Sequence, residues 1–355
     1  MSEVITVREY ARLTTADVPP GKLDCAQISS SAFEWLCDLS AEFSRRGATL
    51  LQVDGKQALK WDSYVGVVET PCGTRLEILP KHHDEGDCKQ KSRQLLRKLI
   101  QQALQIKPRE ASVASLELFN APLSEWVMGQ FLAELDLLDA FLPNRAENRL
   151  LKSALEQVTN STQDAGNWRL ASELRSMLAE IPASRQVTQD FRAWSRDRLM
   201  AHYQRIKPWC ELILNQQMPI AVAGDWRGMS MLFPMEKLFE QYVEAWLRRN
   251  LQLDAELTAP ATSQFLCRHE QGTIFRLEPD LLVQQGETTW VLDTKWKRLA
   301  SHDRQSKYGL SQADFYQLYA YGQKYLGGKG ELVLIYPRWG QFSTALSPFD
   351  FDHNL

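Results

Sequence analysis

The sequence has no apolar run approaching the roughly 18 residues that a membrane-spanning helix requires, so no membrane role is expected. Its first residues, MSEVITVREYARL, carry no apolar core of a secretion signal, and a cytoplasmic location is the expectation. The six cysteines (Cys25, Cys37, Cys72, Cys88, Cys210 and Cys267) are scattered and form no C-x-x-C pair. That spacing argues against a structural zinc site or a disulfide framework and for reduced thiols. No G-x-x-x-x-G-K-[ST] occurs, and Gly327-Gly328-Lys329-Gly330 lacks both its spacing and its hydroxyl, so nucleotide binding by a P-loop is excluded. An excess of positive charge is missing too. A net charge of −3 argues against a large, uniform nucleic-acid-binding surface, though a local basic groove remains compatible with it. Internal repeats and low-complexity tracts are absent.

What is present is ordinary for a soluble globular protein: 355 residues, 44% hydrophobic and 24% charged, enough for two or three domains with cores of their own. The first ninety residues read as strand-rich. Val4–Tyr10 alternates, Thr49–Val53 is a short β-type run, and Ser63–Glu69 and Arg75–Leu79 flank a Pro71–Gly73 turn as a hairpin. The charged stretch Lys81–Lys91 breaks both periodicities and reads as a solvated loop. From Ser92 the period becomes helical, with Leu95, Leu96, Leu99, Ile100, Ala103 and Leu104 on one face. Leu123–Leu138, Arg145–Val158, Trp168–Leu178 and Phe191–Leu214 continue that spacing between turn signals at Pro143, Asn160 and Pro182, as in a helical linker or bundle.

Past Gly224–Gly228 the pattern is mixed. Pro234 precedes the amphipathic MEKLFEQYVEAWLRRNL. Two β-type segments follow, Thr273–Val283 and Thr288–Trp296, then a charged loop, a helix over Ala313–Leu326, a Gly-Gly-Lys-Gly turn and a buried-looking strand, Glu331–Tyr336. The order α-β-β-α-β fits a small α/β domain. The expected division is a β-rich N-terminal domain at 1–91, a helical region at 92–218 and an α/β domain with a central mixed sheet at 219–355.

The chemistry concentrates in the two β segments, which read FRLEPDLLV and TWVLDTKWK. Side chains two apart on a strand share a face, so Asp293 and Lys295 point one way and Thr294 the other. If the segments pair as a hairpin, Asp280 comes beside them. Two carboxylates and an ammonium then sit together, the set that phosphodiester hydrolysis needs. Carboxylate oxygens hold Mg²⁺, the metal activates water and stabilises the leaving oxygen, and a lysine orients water or balances charge. Glu240, on the preceding helix, is a candidate further ligand. Gln317 and Tyr321 lie four apart on the following helix, hence on one face, placed to brace the lysine or position DNA. Taken singly these motifs are weak: Asp280 after Pro279 also suits a plain turn, and Asp293 with Lys295 a solvated ion pair. The whole order of helix acid, PD, DTK and QxxxY carries the reading.

Several features read more simply. His82-His83 with Asp84 and Glu85 suggests a metal site only superficially, since neighbours on a solvated loop rarely converge. Lys297, Arg298, Arg304 and Lys307 are candidates for DNA phosphate contacts or merely a charged surface loop. Of eleven tryptophans, Trp35, Trp126, Trp246 and Trp290 lie in apolar patterns that predict core positions.

The helix–PD–DTK–QxxxY order resembles the PD-(D/E)xK nuclease superfamily, in the branch with Gln-x-x-x-Tyr, with Asp in place of the commoner Glu at 293. More narrowly, VREYARL (7–13), GTRLEILPK (73–81), ENRLLKSAL (147–155) and FPMEKLFEQYVEAWL (233–247) resemble the McrC family, the nuclease subunits of McrBC-type modification-dependent restriction systems. The resemblance implies a Mg²⁺-dependent endonuclease cleaving modified, methylated double-stranded DNA. Asp280, Asp293, Lys295, Gln317 and Tyr321 would be its catalytic residues, and Glu240, Asp280 and Asp293 its metal ligands. It also implies a separate AAA+ motor of the McrB type, hydrolysing GTP or ATP, whose ring receives the β-rich N-terminal domain and is stimulated by it. A stand-alone RecB-like repair nuclease and a non-catalytic activator of the ring are the competing expectations.

Overall fold

The computed structural model describes residues 4–19, 21–45, 47–55, 57–81, 89–105, 121–138, 145–195, 203–214 and 230–351. The His82–Glu85 loop, Pro143, Gly224–Gly228 and the expected boundary at 218/219 lie outside them. The chain forms two compact units, 1–234 and 235–355.

In the first unit, strands β1 (Val4–Arg8), β2 (Arg12–Thr14), β3 (Cys25–Gln27), β4 (Leu51–Val53), β5 (Ala58–Trp61), β6 (Tyr64–Glu69) and β7 (Arg75–Leu79) build two four-stranded sheets with β8 (Met231–Pro234). Their orders are β1-β7-β6-β8 and β3-β2-β5-β4. The expected hairpin is β6 against β7. Because β8 pairs antiparallel with β6, residues 231–234 belong with this unit and not with the following helix.

The strand-rich reading of the first ninety residues overlooks a helix, α1 (Ser30–Arg45). Ala32, Leu36, Leu39 and Phe43 recur at helical spacing and bury against Leu13, Leu59, Trp61, Leu76 and Ile78. Further helices follow: α2 (Lys89–Ala103), α3 (Leu123–Leu135), α4 (Ala146–Ser161), α5 (Ala165–Met177), α6 (Val187–Ala193) and α7 (Tyr203–Leu214). Among the described residues the single helical stretch predicted over Phe191–Leu214 is represented by the end of α6 and by α7. α6 ends at Ala193, where Trp194 turns to extended backbone.

Two carboxylates fasten sheet to bundle. Glu77, with no exposed surface, accepts from Arg93 Nε at 2.9 Å and from the Leu123 amide at 3.0 Å. An anion thereby occupies the start of α3, where Pro122 offers no side-chain cap. Glu125 on α3 takes Thr162 Oγ1 at 2.6 Å, the Gln163 amide at 2.9 Å and the Arg75 guanidinium at 3.4 Å. Each buried charge is therefore paired and hydrogen-bonded, the condition for keeping it ionised out of water.

The second unit opens with α8 (Met235–Asn250), then β9 (Ala255–Thr258), β10 (Gln264–His269), β11 (Gly272–Leu277), β12 (Leu281–Gln285) and β13 (Thr288–Thr294). Helix α9 (Gln312–Tyr325) and β14 (Glu331–Ile335) complete it. The sheet order is β14-β13-β12-β9, with β13 and β14 parallel and the other pairs antiparallel, so the expected mixed sheet is present. The predicted segment Thr273–Val283 divides at Glu278–Asp280. β11 pairs with β10 in a separate ribbon, and β12 joins the main sheet. The last strand, expected to be buried, lies at the sheet edge and is half exposed. Helix α9 covers Val291 with Leu318 and Tyr321, while α8 reaches the end of β13 through Phe239, whose ring centroid is 5.3 Å from that of Trp296. Among the described residues no helix is long and apolar enough to cross a membrane.

Candidate active site

The β12–β13 hairpin assembles the site. Its register pairs Leu281 with Leu292, so Asp280, one residue earlier, lies across from Asp293 at the ladder's end. Residues so opposed have Cβ atoms about 4.5–5.5 Å apart. The apolar pairs that follow, Leu282 with Val291 and Val283 with Trp290, fix this register, since a one-residue slip would expose Val291 and Leu281.

Asp280 is held by a contact that strand alternation alone does not foresee. Its Oδ2 accepts from the Thr294 amide at 2.7 Å and from Thr294 Oγ1 at 2.6 Å. The expectation that Thr294 points away is therefore corrected: Thr294 is buried and orients the Asp280 carboxylate. The reason is position. Asp280 precedes the strand proper, so its side chain reaches across the end of the neighbouring strand to that backbone N–H.

Asp293 is 2% exposed and its pKa is pushed up to about 6. Burial is the chief cause; contact with the Lys295 ammonium opposes it, and the charges of Asp280 and Asp314 add to it. Lys295 Nζ and Asp293 Oδ2 are in ion-pair contact. Burial alone would lower the Lys295 pKa, but the Asp293 carboxylate, with Asp314 and Asp280 behind it, raises it. The lysine stays an ammonium.

Gln317 and Tyr321 brace that ammonium. Lys295 Nζ donates to Gln317 Oε1 at 3.3 Å, Gln317 Nε2 donates to Tyr321 Oη at 2.6 Å, and Tyr321 Oη donates to the Glu278 carbonyl at 3.1 Å. The relay runs from the lysine back to the loop carrying Asp280. Burial, and after it the Asp293 charge, raises the Tyr321 pKa, so its hydroxyl remains a donor.

Glu240 is less committed. It accepts from Lys237 Nζ at 2.7 Å, one turn earlier on α8. Its pKa is raised by burial and further by the charge of Asp280, which it therefore faces electrostatically. Among the described residues no three His, Cys, Asp or Glu side chains converge as a metal-holding group. The donor set fits a magnesium ion through two carboxylates, Asp280 and Asp293, since Mg²⁺ characteristically takes one or two and keeps several waters. The buried Asp293 carboxylate, its pKa raised, beside a second carboxylate is the observation favouring a cation there.

Three contributors escaped the sequence reading. Asp314 is buried in the first turn of α9 and accepts from Lys297 Nζ at 2.7 Å; the S-x-x-D spacing from Ser311 was its only local signal. Lys237, three residues before Glu240, restrains it. Tyr336, next after β14, has a buried hydroxyl without a partner, and burial together with the Asp314 and Asp293 charges raises its pKa. The basic stretch divides. Lys297 is engaged by Asp314, and Arg298 lies 5.3 Å over the Trp339 ring, while Arg304 and Lys307 are exposed. Of the tryptophans expected in the core, Trp126 is buried, Trp35 and Trp290 are half-buried and Trp246 is 49% exposed, a correction.

Fold and site together define an α/β unit that presents two opposed carboxylates and a braced lysine at the end of a hairpin. The chain belongs to the family of McrBC 5-methylcytosine restriction system components, whose model matches residues 59–138 and 137–337. No curated protein matches it. Among solved structures it is similar to a chain of the refined half-complex from the tetradecameric assembly of Thermococcus gammatolerans McrB AAA+ hexamers with bound McrC. The TM-score is 0.69 at 17% identity, covering 98% of this chain and 91% of that one. A chain of the Thermococcus gammatolerans McrBC complex matches with a TM-score of 0.52 at 16% identity, covering 70% and 88%. These two likenesses speak to the fold.

Proposed function

We propose that the chain is an McrC-type nuclease subunit, a Mg²⁺-dependent endonuclease that cuts 5-methylcytosine-containing double-stranded DNA in the cytoplasm when docked on an McrB-type AAA+ ring. The observation that carries the reading is Asp280 set opposite the buried Asp293, with Lys295 two residues on and its ammonium in ion-pair contact with that carboxylate. Family membership supplies the system, and the McrC-bound McrB hexamers of the structural relative supply the kind of partner.

Asp280 and Asp293 would hold the ion, which when bound supplies Lewis-acid activation of water and stabilisation of the leaving oxygen. The chain's own residues prepare that site. Thr294 fixes the Asp280 carboxylate with two hydrogen bonds and so sets where its free oxygen points. Lys295, held charged by Asp293, donates toward the attacking water or a phosphate oxygen and balances the charge that builds there. Gln317 and Tyr321 keep Nζ in place, and Lys297 with Asp314 pins the start of α9 to the end of β13.

The test is cleavage of plasmid DNA with and without 5-methylcytosine, by the chain alone and with its motor and nucleotide. Cutting is expected only with motor, nucleotide and Mg²⁺ together, and should vanish on chelation. Cutting by the isolated chain would favour a stand-alone repair nuclease; no cutting in the complete mixture would contradict the proposal.

A further inference from the structure

A two-stranded ribbon stands just ahead of Asp280. β10 and β11 pair with each other from Gln264–Leu277 to His269–Gly272 and join none of the three four-stranded sheets. Beyond their root nearly every residue is exposed. Phe275 is 67% exposed, Leu266 45% and Ile274 37%, apolar side chains left in water by folding. Phe275 also has a φ of 57°, the left-handed conformation that side chains with a Cβ disfavour. A strained, exposed aromatic is poor for stability and suits a contact made elsewhere. Arg268 and Arg276 bring a guanidinium to each strand, and Arg276 lies 5.6 Å over the Phe265 ring. Glu278 is 3.9 Å from Arg276 and Glu270 3.8 Å from His269; all four are solvated, where such pairs bind weakly.

We propose that this ribbon is an arm that grips duplex DNA beside the cut, with Phe275 and Leu266 against the groove and Arg268 and Arg276 on the phosphates. The inference rests on reading the neighbouring hairpin as a DNA-cutting site. Position commits it to DNA. Phe275 is five residues from Asp280, at most about 18 Å of extended chain, which is the rise of roughly five base pairs. A duplex with a phosphate at Asp280 therefore passes within reach of the ribbon. A two-stranded β-ribbon is an element that the major groove admits, and apolar side chains serve as wedges in DNA-bending proteins.

The test is fluorescence anisotropy of the full-length chain with a short labelled duplex at low salt in chelator, alongside melting temperature and sedimentation. Phe275→Gly suits the left-handed backbone, so it should melt no lower than wild type, yet bind about tenfold more weakly. Arg268→Ala with Arg276→Ala should weaken binding and reduce the slope of log affinity against log salt by about two. The arm is refuted if the ribbon variants bind unchanged, or if the wild type shows no affinity at low salt. It is also refuted if Phe275→Gly dissolves a dimer without altering DNA affinity, which would assign the ribbon to a second copy of the chain. Unchanged binding with Asp293-dependent cutting removes the arm and leaves the nuclease. Ribbon-dependent binding without any cutting does the reverse.

Discussion

Lys295→Ala is expected to slow DNA cleavage by about 10²- to 10³-fold in the motor-bound complex, the loss typical of removing one aligned transition-state donor. The side chain is half-buried, ion-paired with Asp293 and bonded to Gln317, so its ammonium is placed before substrate arrives. Alanine removes that charge and leaves Asp293 buried without its cation, which raises its pKa beyond about 6. Gln317→Ala should cost less, about 10- to 100-fold, because it acts through the lysine and not on the substrate. The two effects should not add, since removing the lysine removes what the glutamine braces. Single-turnover rates of the two variants and the double variant check this. Additive losses would place Gln317 in direct contact with DNA instead.

Gly66→Ala is expected to be among the most destabilising single substitutions in the chain, costing more than about 4 kcal/mol. Gly66 has a φ of 134°, and a Cβ there would lie 1.8 Å from the Met231 carbonyl oxygen and 2.9 Å from its carbon. Both are backbone atoms of the paired strand β8, so no rotamer relieves the overlap, and the β6–β8 ladder must part. Gly286→Ala is the matched control. Its φ is 58° but nothing lies within 4 Å of a Cβ, leaving only the conformational penalty of about 1–2 kcal/mol. Denaturant midpoints with unchanged slopes measure both. An alanine at 66 as mild as that at 286 would mean that β8 does not hold to β6 as described.

How much of this was legible beforehand varies with the distance over which the determinants act. The hairpin was legible because its register is written twice, in the apolar Leu281–Val283 and Val291–Leu292 runs and in the turn between them. Gln317 and Tyr321 were legible because a spacing of four on a helix puts two side chains on one face. Helix α1 had the same kind of signal at Ala32, Leu36, Leu39 and Phe43, hidden among short β-type runs. Strands β9 and β10 had little: QFLCRH is mostly exposed and shows no alternation of burial to betray it. Tyr336 and Asp314 were not legible, because the parallel pairing of β13 with β14 and the packing of α9 over Val291 bring them to Asp293 across the fold. Thr294 was misread for a smaller reason, the Asp280 carboxylate folding back over a strand end where strict alternation ceases.

One carboxylate on β13, Asp293, is expected to serve cleavage and nothing else in the complex. Asp293→Asn tests it most directly, with DNA cleavage and nucleotide hydrolysis by the motor read in the same reaction. Asparagine keeps the shape of the side chain and removes the charge that burial already disfavours, so the fold and the docked complex should persist. Cleavage should fall by at least about a thousandfold, with hydrolysis by the motor unchanged. Cleavage that survives in Asp293→Asn would contradict it and place the cutting site elsewhere.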